Sequence, residues 1–369
     1  MKFVIFGLTV SSSWGNGHAT LWRGLCDALA RRGHRIIFFE HDLPYYAAHR
    51  DLFELPNGKL EIYPDWKTVW NSAERQVADA DVAMVTSFCP DGVAATELVA
   101  AAPGLKVFYD LDTPVTLEQI GRGHSVDYIG SRGLIDFDLV LSYTGGSALS
   151  ALKSRLGARR IAPLYGSVDA HVHCPSPARA SYHCDLSYVG TYAADRQPAL
   201  DALFLATARR APQKRFVLAG AQYPMDFPWS ENIFFVRHVP PAEHPALYGS
   251  SRLTLNVTRS VMARMGYCPS GRLFEAAACA VPILSDWWEG FEQFFTPGSE
   301  ILVTRSTEDV LDALSLSDRE LHAIAQCARA RALEEHSAER RASELEALLE
   351  AVNYQSAKAA TAPPVSLGR

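Results

Sequence analysis

A turn and a short helix late in the chain hold the residues best suited to bind an anion. Ser270 and Gly271 precede a helix predicted over Arg272–Cys279, so the first backbone amides of that helix are free. Free amides and the helix dipole favour phosphate. A cation such as Arg272 is unfavourable in the first turn, because the N-terminal end of the helix dipole is positive. Its position is explained if an anion binds between the guanidinium group and the free amides. Glu275 either accepts hydrogen bonds from a pair of sugar hydroxyls or is an ordinary solvated glutamate. Together these residues predict a nucleotide-diphosphate site.

Two more arginines follow predicted strands of the same half. Arg196 ends a loop that also contains Tyr192, and a helix begins beside it at Pro198. We interpret Arg196 as a phosphate ligand, with pairing to Asp195 or to solvent as the alternative. Arg259 leaves another strand toward the same edge and is a further candidate for phosphate or sugar.

The first half offers a glycine-rich loop directly after its first strand, residues 2–6. The loop ends in Gly15-Asn16-Gly17-His18, and it lies at the carboxyl end of the strand, where α/β sheets place ligands. It does not have the GxGxxG spacing of a dinucleotide site. His18 either acts as a general base, contacts a donor, or merely caps the following helix.

A pair of carboxylates, Asp110 and Asp112, follows another buried strand of the first half. Strand alternation allows both to face one side. We interpret Asp112 as functional and Asp110 as structural; the alternative for Asp112 is a helix N-cap before Thr113-Pro114. An Asp-x-Asp metal motif is also conceivable here, but its place before a helix start favours a site without metal.

Strands and helices alternate in both halves, which predicts an α/β fold with parallel sheets. Strands are predicted at residues 2–6, 36–40, 82–87, 106–109 and 138–142, and then at 186–189, 215–218, 233–236, 252–257 and 281–284. A connector with Pro175 and Pro177 separates an N-terminal domain (1–170) from a C-terminal domain (171–352), and 353–369 is expected to be a flexible tail. Residues 42–66 are interpreted as an excursion beside a cleft.

The composition narrows the class of protein. The chain has 369 residues, 48% hydrophobic and 21% charged, with a net charge of −6. This balance argues against nucleic acid as the main partner and makes a local cluster of arginines more informative. The seven cysteines are scattered singly, which favours a reducing compartment. No run approaches the ~20 apolar residues of a membrane span, and no histidine–carboxylate spacing indicates a metal site. We expect a cytoplasmic protein.

A family resemblance rests on residues 269–302, PSGRLFEAAACAVPILSDWWEGFEQFFTPGSEIL. This stretch resembles the C-terminal signature of the CgeB-like, spore-maturation glycosyltransferases of the GT-B superfamily. The resemblance implies two Rossmann-like domains whose parallel sheets face each other across a cleft. It also implies that the final helix packs back on the N-terminal domain.

The resemblance implies roles for particular residues. Glu275 would bind the ribose of a nucleotide sugar, Arg196 the diphosphate, and the backbone near His238 and Val239 the base. The loop Gly15–Gly17 would lie near the acceptor, and we place Trp288 and Glu289, from an exposed aromatic loop, at the same cleft. Many retaining members carry an acid eight residues before the glutamate; that position is Tyr267, so the stereochemical course stays open.

The predicted function is transfer of a sugar from a UDP-, dTDP- or GDP-linked donor to an acceptor hydroxyl, with His18 or Asp112 as base if the transfer is inverting. The expected partners are the nucleotide sugar and an acceptor glycan or small molecule, without metal, cofactor, nucleic acid or membrane span; homo-oligomerisation stays open. Two alternatives remain: a GT-B-shaped sugar-nucleotide epimerase and a non-catalytic nucleotide-sugar-binding subunit.

Overall fold

In the computed structural model, which describes residues 1–361, the strands form two separate sheets. The first sheet has the order β3-β2-β1-β4-β5-β6-β7, and every neighbouring pair is parallel. Its strands are β1 (Lys2–Gly7), β2 (Arg35–His41), β3 (Gly58–Tyr63), β4 (Val82–Thr86), β5 (Leu105–Asp110), β6 (Leu139–Ser142) and β7 (Ile161–Pro163). The helices of this lobe are α1 (Gly17–Arg31), α2 (Pro44–Ala47), α3 (Trp66–Val77), α4 (Gly92–Ala100), α5 (Thr113–Gly121) and α6 (Ser147–Leu156).

The central strands of this sheet are apolar on both faces because helices cover both faces. Phe3 and Ile5 belong to the core cluster that contains Trp22 of α1, whereas Val4 and Phe6 belong to the cluster of α3 and α4. The edge strand β3 was missed in the sequence, where it was part of the supposed excursion 42–66. Its burial is only partial, as expected of an edge, so it lacks the long apolar run of the central strands.

The second sheet has the order β10-β9-β8-β11-β12-β13 and is also parallel throughout. Its strands are β8 (Cys184–Val189), β9 (Phe216–Ala219), β10 (Ile233–Val236), β11 (Ser251–Asn256), β12 (Ile283–Ser285) and β13 (Leu302–Val303). Its helices are α7 (Gln197–Leu200) and α8 (Ala206–Arg210), joined by a π-helical turn, then α9 (His244–Gly249), α10 (Ser260–Met265), α11 (Gly271–Ala278), α12 (Thr307–Ala313) and α13 (Asp318–Glu335). Two Rossmann-like lobes with parallel sheets are therefore confirmed.

The last helix, α14 (Ala338–Thr361), returns to the first lobe. Its buried Leu345 and Leu349 join the core cluster that contains Trp22 and Leu25 of α1. The helix continues past residue 353, where we expected a tail to begin; of that tail, residues 362–369 lie outside the described part. No helix among residues 1–361 has both the length and the apolar character needed to cross a bilayer.

The chain crosses between the lobes twice, and the two crossings lie side by side. Val168, in the outgoing connector, forms an isolated parallel bridge with Ser337, just before α14. The Val168 amide donates to the His336 carbonyl (2.9 Å), and the Ala338 amide donates to the Val168 carbonyl (2.8 Å).

Both sheets change winding direction at their first strand, between β1 and β4 and between β8 and β11. Ligands of open α/β sheets bind at the carboxyl ends of strands beside such a switch point. The segments that follow β1, β8 and β11 carry His18, Arg196 and Arg259 respectively, and all three residues line one cleft.

Candidate active site

A cleft with a volume of about 510 Å³ separates the lobes, and both lobes contribute to its walls. It brings together nearly all of the residues selected from the sequence. These are Gly15, Asn16, Gly17, His18, Asp112, Tyr192, Arg196, His238, Val239, Arg259, Ser270, Gly271, Arg272 and Glu275.

Trp288 and Glu289 are not part of the cleft lining. Trp288 is 1% exposed and packs edge-on against Phe291, with ring centroids 5.0 Å apart, inside the core of the second lobe. The exposed ring of this aromatic pair is Trp287, whose Nε1 donates to Glu292 Oε1 (2.8 Å). The prediction that Trp288 faces the acceptor is wrong, because that large apolar ring is buried in the core instead.

The helix α11 begins at the cleft wall without a cap from any described side chain. Ser270, Gly271 and Arg272 line the cleft there, so the first amides of the helix are oriented for an anion. Arg272 Nη1 donates to Asn256 Oδ1 (2.9 Å), and its guanidinium carbon lies 5.2 Å from the centroid of the Tyr188 ring. The arginine is thus positioned by its neighbours and does not extend into solvent.

Gly190, at the end of β8, permits the close approach of Arg272. A Cβ at this position would lie 2.7 Å from Arg272 Nη2 and 2.9 Å from the Tyr188 hydroxyl. A side chain at residue 190 would therefore displace the guanidinium group.

The other two arginines, Arg196 and Arg259, differ in their hydrogen-bond partners. Arg196 Nη1 donates to the Thr191 carbonyl (2.9 Å), while its buried Nε has no partner among the described residues. Asp195 pairs with Arg259, whose Nε lies 3.4 Å from both carboxylate oxygens. The alternative in which Asp195 neutralises Arg196 therefore does not occur, and Arg196 retains donor capacity toward the cleft.

Glu275 is a buried, ionised carboxylate. Its side chain is 12% exposed, and Oε2 lies 3.6 Å from His244 Nδ1, which excludes the solvated alternative. Burial alone would raise its pKa, but His173, His244 and Arg272 outweigh burial and lower the pKa of Glu275 to about 2. The second ring nitrogen of His244 is hydrogen-bonded to the Val239 carbonyl (3.1 Å).

On the opposite wall, His18 pairs with Asp112. His18 Nε2 lies 3.4 Å from Asp112 Oδ2. The cap of α1 is Asn16, whose side chain accepts from the His18 amide (3.1 Å), so the His18 ring does not serve as a cap. Asp112 precedes α5 without a side-chain capping bond. Burial disfavours the imidazolium, but the Asp112 carboxylate outweighs it and raises the pKa of His18 above its usual value.

Asp110 is fully buried and lies outside the cleft lining. Its Oδ1 accepts from Thr116 Oγ1 (3.0 Å) and from the Asp112 amide (3.2 Å), which orders the start of α5. Its Oδ2 has no partner among the described residues, and burial raises the pKa of Asp110 to about 6.

Tyr267, eight residues before Glu275, does not line the cleft. Its amide donates to the Glu289 carbonyl (2.7 Å), and its carbonyl accepts from the Gly145 amide of the first lobe (2.9 Å). A Cβ at Gly146 would lie 2.3 Å from the Tyr267 ring. Tyr267 therefore contacts the first lobe at Gly145 and Gly146.

Three residues near the site were not selected from the sequence. His173 and His244 lie beside Glu275, and Trp14 stacks on His49 with ring centroids 4.0 Å apart. Trp14 also lies 4.7 Å from the ring of His238 in the second lobe. None belongs to a motif, since the contacts arise only when distant segments meet; the aromatic character of Trp14 in a glycine-rich loop was the one available signal.

Comparisons with known proteins agree with this architecture. Residues 196–347 match the model of a family described as glycosyl transferase-like. Among solved structures, sucrose-phosphate synthase from Thermosynechococcus elongatus superposes with a TM-score of 0.67 at 12% identity, covering 98% of this chain and 100% of that one. Anabaena HepE in complex with UDP and glucose superposes with a TM-score of 0.67 at 13% identity, covering 95% of this chain and 100% of that one. An alpha-glucosyltransferase in complex with UDP superposes with a TM-score of 0.67 at 10% identity, covering 95% of this chain and 100% of that one.

A search of curated proteins returned no match. The structural similarity, over nearly the whole of each chain, shows that this protein has the GT-B fold and confirms that prediction. The match to the glycosyl transferase-like model lies within its second lobe and α14. The CgeB-like assignment stays a prediction.

Proposed function

We propose that this protein is a glycosyltransferase that moves a sugar from a nucleotide-diphosphate donor to an acceptor hydroxyl in the cleft between its lobes. The observation that carries the proposal is that two different sets of side chains face each other across this cleft. Arg196, Arg272 and the uncapped start of α11 face the cleft from one lobe, and the His18–Asp112 pair faces it from the other.

The cationic wall suits a diphosphate leaving group. Negative charge grows on the diphosphate as the sugar–oxygen bond breaks, and preorganised donors lower the energy of that state. Arg196 and Arg272 supply guanidinium donors, and the helix start supplies amides. We therefore propose that the diphosphate is neutralised by protein groups and needs no metal of its own.

Glu275 suits the ribose of the donor. It is ionised and buried beside the helix start, so its carboxylate can accept hydrogen bonds from two neighbouring hydroxyls. The nucleobase then falls near His238 and Val239. UDP is the first donor nucleotide to test, since HepE and the alpha-glucosyltransferase were both solved with it.

The opposite wall suits activation of the acceptor. With Asp112 at His18 Nε2, the other ring nitrogen, Nδ1, makes no hydrogen bond to any described residue. A neutral His18 can thus accept the proton of an acceptor hydroxyl while Asp112 stabilises the resulting imidazolium. We propose an inverting transfer on this basis, and Tyr267 leaves no carboxylate at the position of the second acid of retaining relatives.

Calorimetric titration with UDP, dTDP and GDP tests the site, followed by turnover of the matching nucleotide sugars with a panel of hydroxyl acceptors. We expect one of the three nucleotides to bind at a single site, and a glycosylated product of inverted anomeric configuration by NMR. Absence of binding by all three nucleotides would overturn the site. A retained configuration would remove His18 as base, an isomerised nucleotide sugar would indicate the epimerase, and binding without turnover would indicate the non-catalytic subunit.

A further inference from the structure

Three side-chain atoms that could bind a metal ion lie close together beside the cationic wall of the cleft. His173 comes from the connector between the lobes, His244 begins α9, and Glu275 lies in α11. One ligand atom from each lies within 4.8 Å of the other two. His173 Nε2 is 3.3 Å from His244 Nδ1, which is 3.6 Å from Glu275 Oε2.

The 3.3 Å and 3.6 Å separations are close to those of atoms that share one small ion. Two ligand bonds of about 2.0–2.1 Å at a tetrahedral angle place the ligand atoms about 3.3 Å apart. A direct imidazole–carboxylate hydrogen bond would instead bring the nitrogen and oxygen within about 3 Å. The observed 3.6 Å between His244 and Glu275 is longer than that.

The surroundings of His244 resemble the second shell of a metal site. Its Nε2 donates a hydrogen bond to the Val239 carbonyl (3.1 Å), and in the neutral ring the Nδ1 lone pair is then directed toward His173 and Glu275. A metal-bound histidine typically donates its other ring nitrogen to a carbonyl or carboxylate in this way.

Without an ion, a neutral His244 cannot make hydrogen bonds to both neighbours. Its Nε2 carries the proton that is donated to the Val239 carbonyl, so its Nδ1 can accept a hydrogen bond from His173 Nε2 but cannot also donate one to Glu275.

We propose that His173, His244 and Glu275 bind one Zn²⁺ ion, with its fourth position open toward the cleft. Two histidines and one carboxylate form a zinc-type ligand set, and three protein ligands with an open position are typical of zinc sites that bind a further oxygen ligand. Because His244 and Glu275 line the cleft, the fourth ligand is a water molecule or, resting on the proposed function, a hydroxyl of the donor ribose. This site departs from the expectation of a metal-free protein, but it lies on the ribose side and leaves the arginines to the diphosphate.

Zinc titration of the chelator-treated full chain tests the site. Calorimetry on the wild type, His173→Ala and His244→Ala should show one zinc site in the wild type that is weakened more than about 100-fold in each variant. His171→Ala is the matched control, since that ring is 71% exposed and only two residues from His173. It should bind zinc as the wild type does.

A spectroscopic measurement covers the case in which a variant folds poorly. Wild-type protein loaded with Co²⁺ should show the intense visible absorption of four-coordinate cobalt with nitrogen and oxygen ligands, and zinc should displace it. No zinc binding by the wild type, or equal affinity in His173→Ala, His244→Ala and His171→Ala, would overturn the proposal. UDP binding measured on the same samples separates this outcome from a failure of the donor site.

Discussion

Arg272 occupies the first turn of α11, where the helix dipole disfavours a cation. Its guanidinium group is nevertheless held by Asn256 and by the face of Tyr188. The protein thus maintains a positive charge beside free helix amides, and a bound diphosphate would relieve the repulsion between them.

Replacing Arg272 should weaken donor binding selectively. We expect Arg272→Ala to cost about 1.5–3 kcal/mol of UDP binding, or roughly 10- to 150-fold in Kd, because a charge-assisted contact is lost. The UDP affinity of Arg272→Lys should lie between those of the wild type and Arg272→Ala, since lysine keeps the charge but lacks the paired N–H donors of the guanidinium group. Calorimetry measures both, and Arg209→Ala, an exposed arginine of the same lobe, is the control. An unchanged UDP affinity in Arg272→Ala would contradict the site.

The His18–Asp112 pair should set the acidic limb of the pH–rate profile. A base must be neutral, so kcat/KM should fall as the pH drops through the pKa of His18, which Asp112 raises above about 6.5. In Asp112→Asn the attraction is gone and burial dominates, so the limb should move to lower pH.

Two companion variants test the role of His18 itself. His18→Ala should lose about 10²- to 10⁴-fold in kcat, while His124→Ala, an exposed histidine of the same lobe, should match the wild type. An acidic limb at the same pH in wild type and Asp112→Asn would refute the pairing.

Single residues were predictable where the chemistry is local. Ser270, Gly271, Arg272 and Glu275 fall within six consecutive residues, and the structure places them on one wall. His173 and His244 were not predictable, because 71 residues separate them and only the tertiary fold brings them together. Trp288 shows a different difficulty. When two tryptophans are adjacent, the sequence does not show which of the two rings is buried in the core.

At the scale of elements, the buried strands were predictable from their apolar runs. β1, β2, β4 and β5 lie within one or two residues of the predicted bounds, because strands covered on both faces need continuous apolar residues. The edge strand β3 was missed because it lacks such a run. The full length of α14 was missed because the residues that follow Val352, such as Asn353 and Tyr354, are exposed and give no apolar pattern.

The packing of α14 on α1 should stabilise the first lobe. Leu345 is 1% exposed among core residues of that lobe. We expect Leu345→Ala to lower the free energy of unfolding by about 2–5 kcal/mol, because a buried cavity forms. Urea denaturation followed by tryptophan fluorescence measures this, and Glu350→Ala, exposed on the same helix, serves as the reference. Equal midpoints for the two variants would show that α14 does not stabilise the lobe.

At the scale of the molecule, the two lobes touch across the cleft. Trp14 of the first lobe lies 4.7 Å from the ring of His238, and Gln222 Nε2 donates to the Tyr45 hydroxyl (2.9 Å). These contacts join loops that flank the proposed donor site and help to hold the two lobes together.

Removing the aromatic contact should favour an open arrangement. We expect Trp14→Ala to weaken UDP binding about threefold to tenfold, since an aromatic pair contributes about 0.5–1.5 kcal/mol. Its radius of gyration without ligand, measured by small-angle X-ray scattering, should exceed that of the wild type. Trp70→Ala, on the outer face of α3, should change neither quantity. An unchanged radius in Trp14→Ala would show that other contacts keep the lobes together.

The bridge between Val168 and Ser337 has a practical consequence for engineering. Since both chain crossings lie at this bridge, the second lobe is, in topological terms, a segment inserted into the first lobe. Under the proposed function, exchanging this segment at the two junctions for that of another GT-B protein should transfer nucleotide specificity as one unit, while α14 stays with the lobe on which it packs.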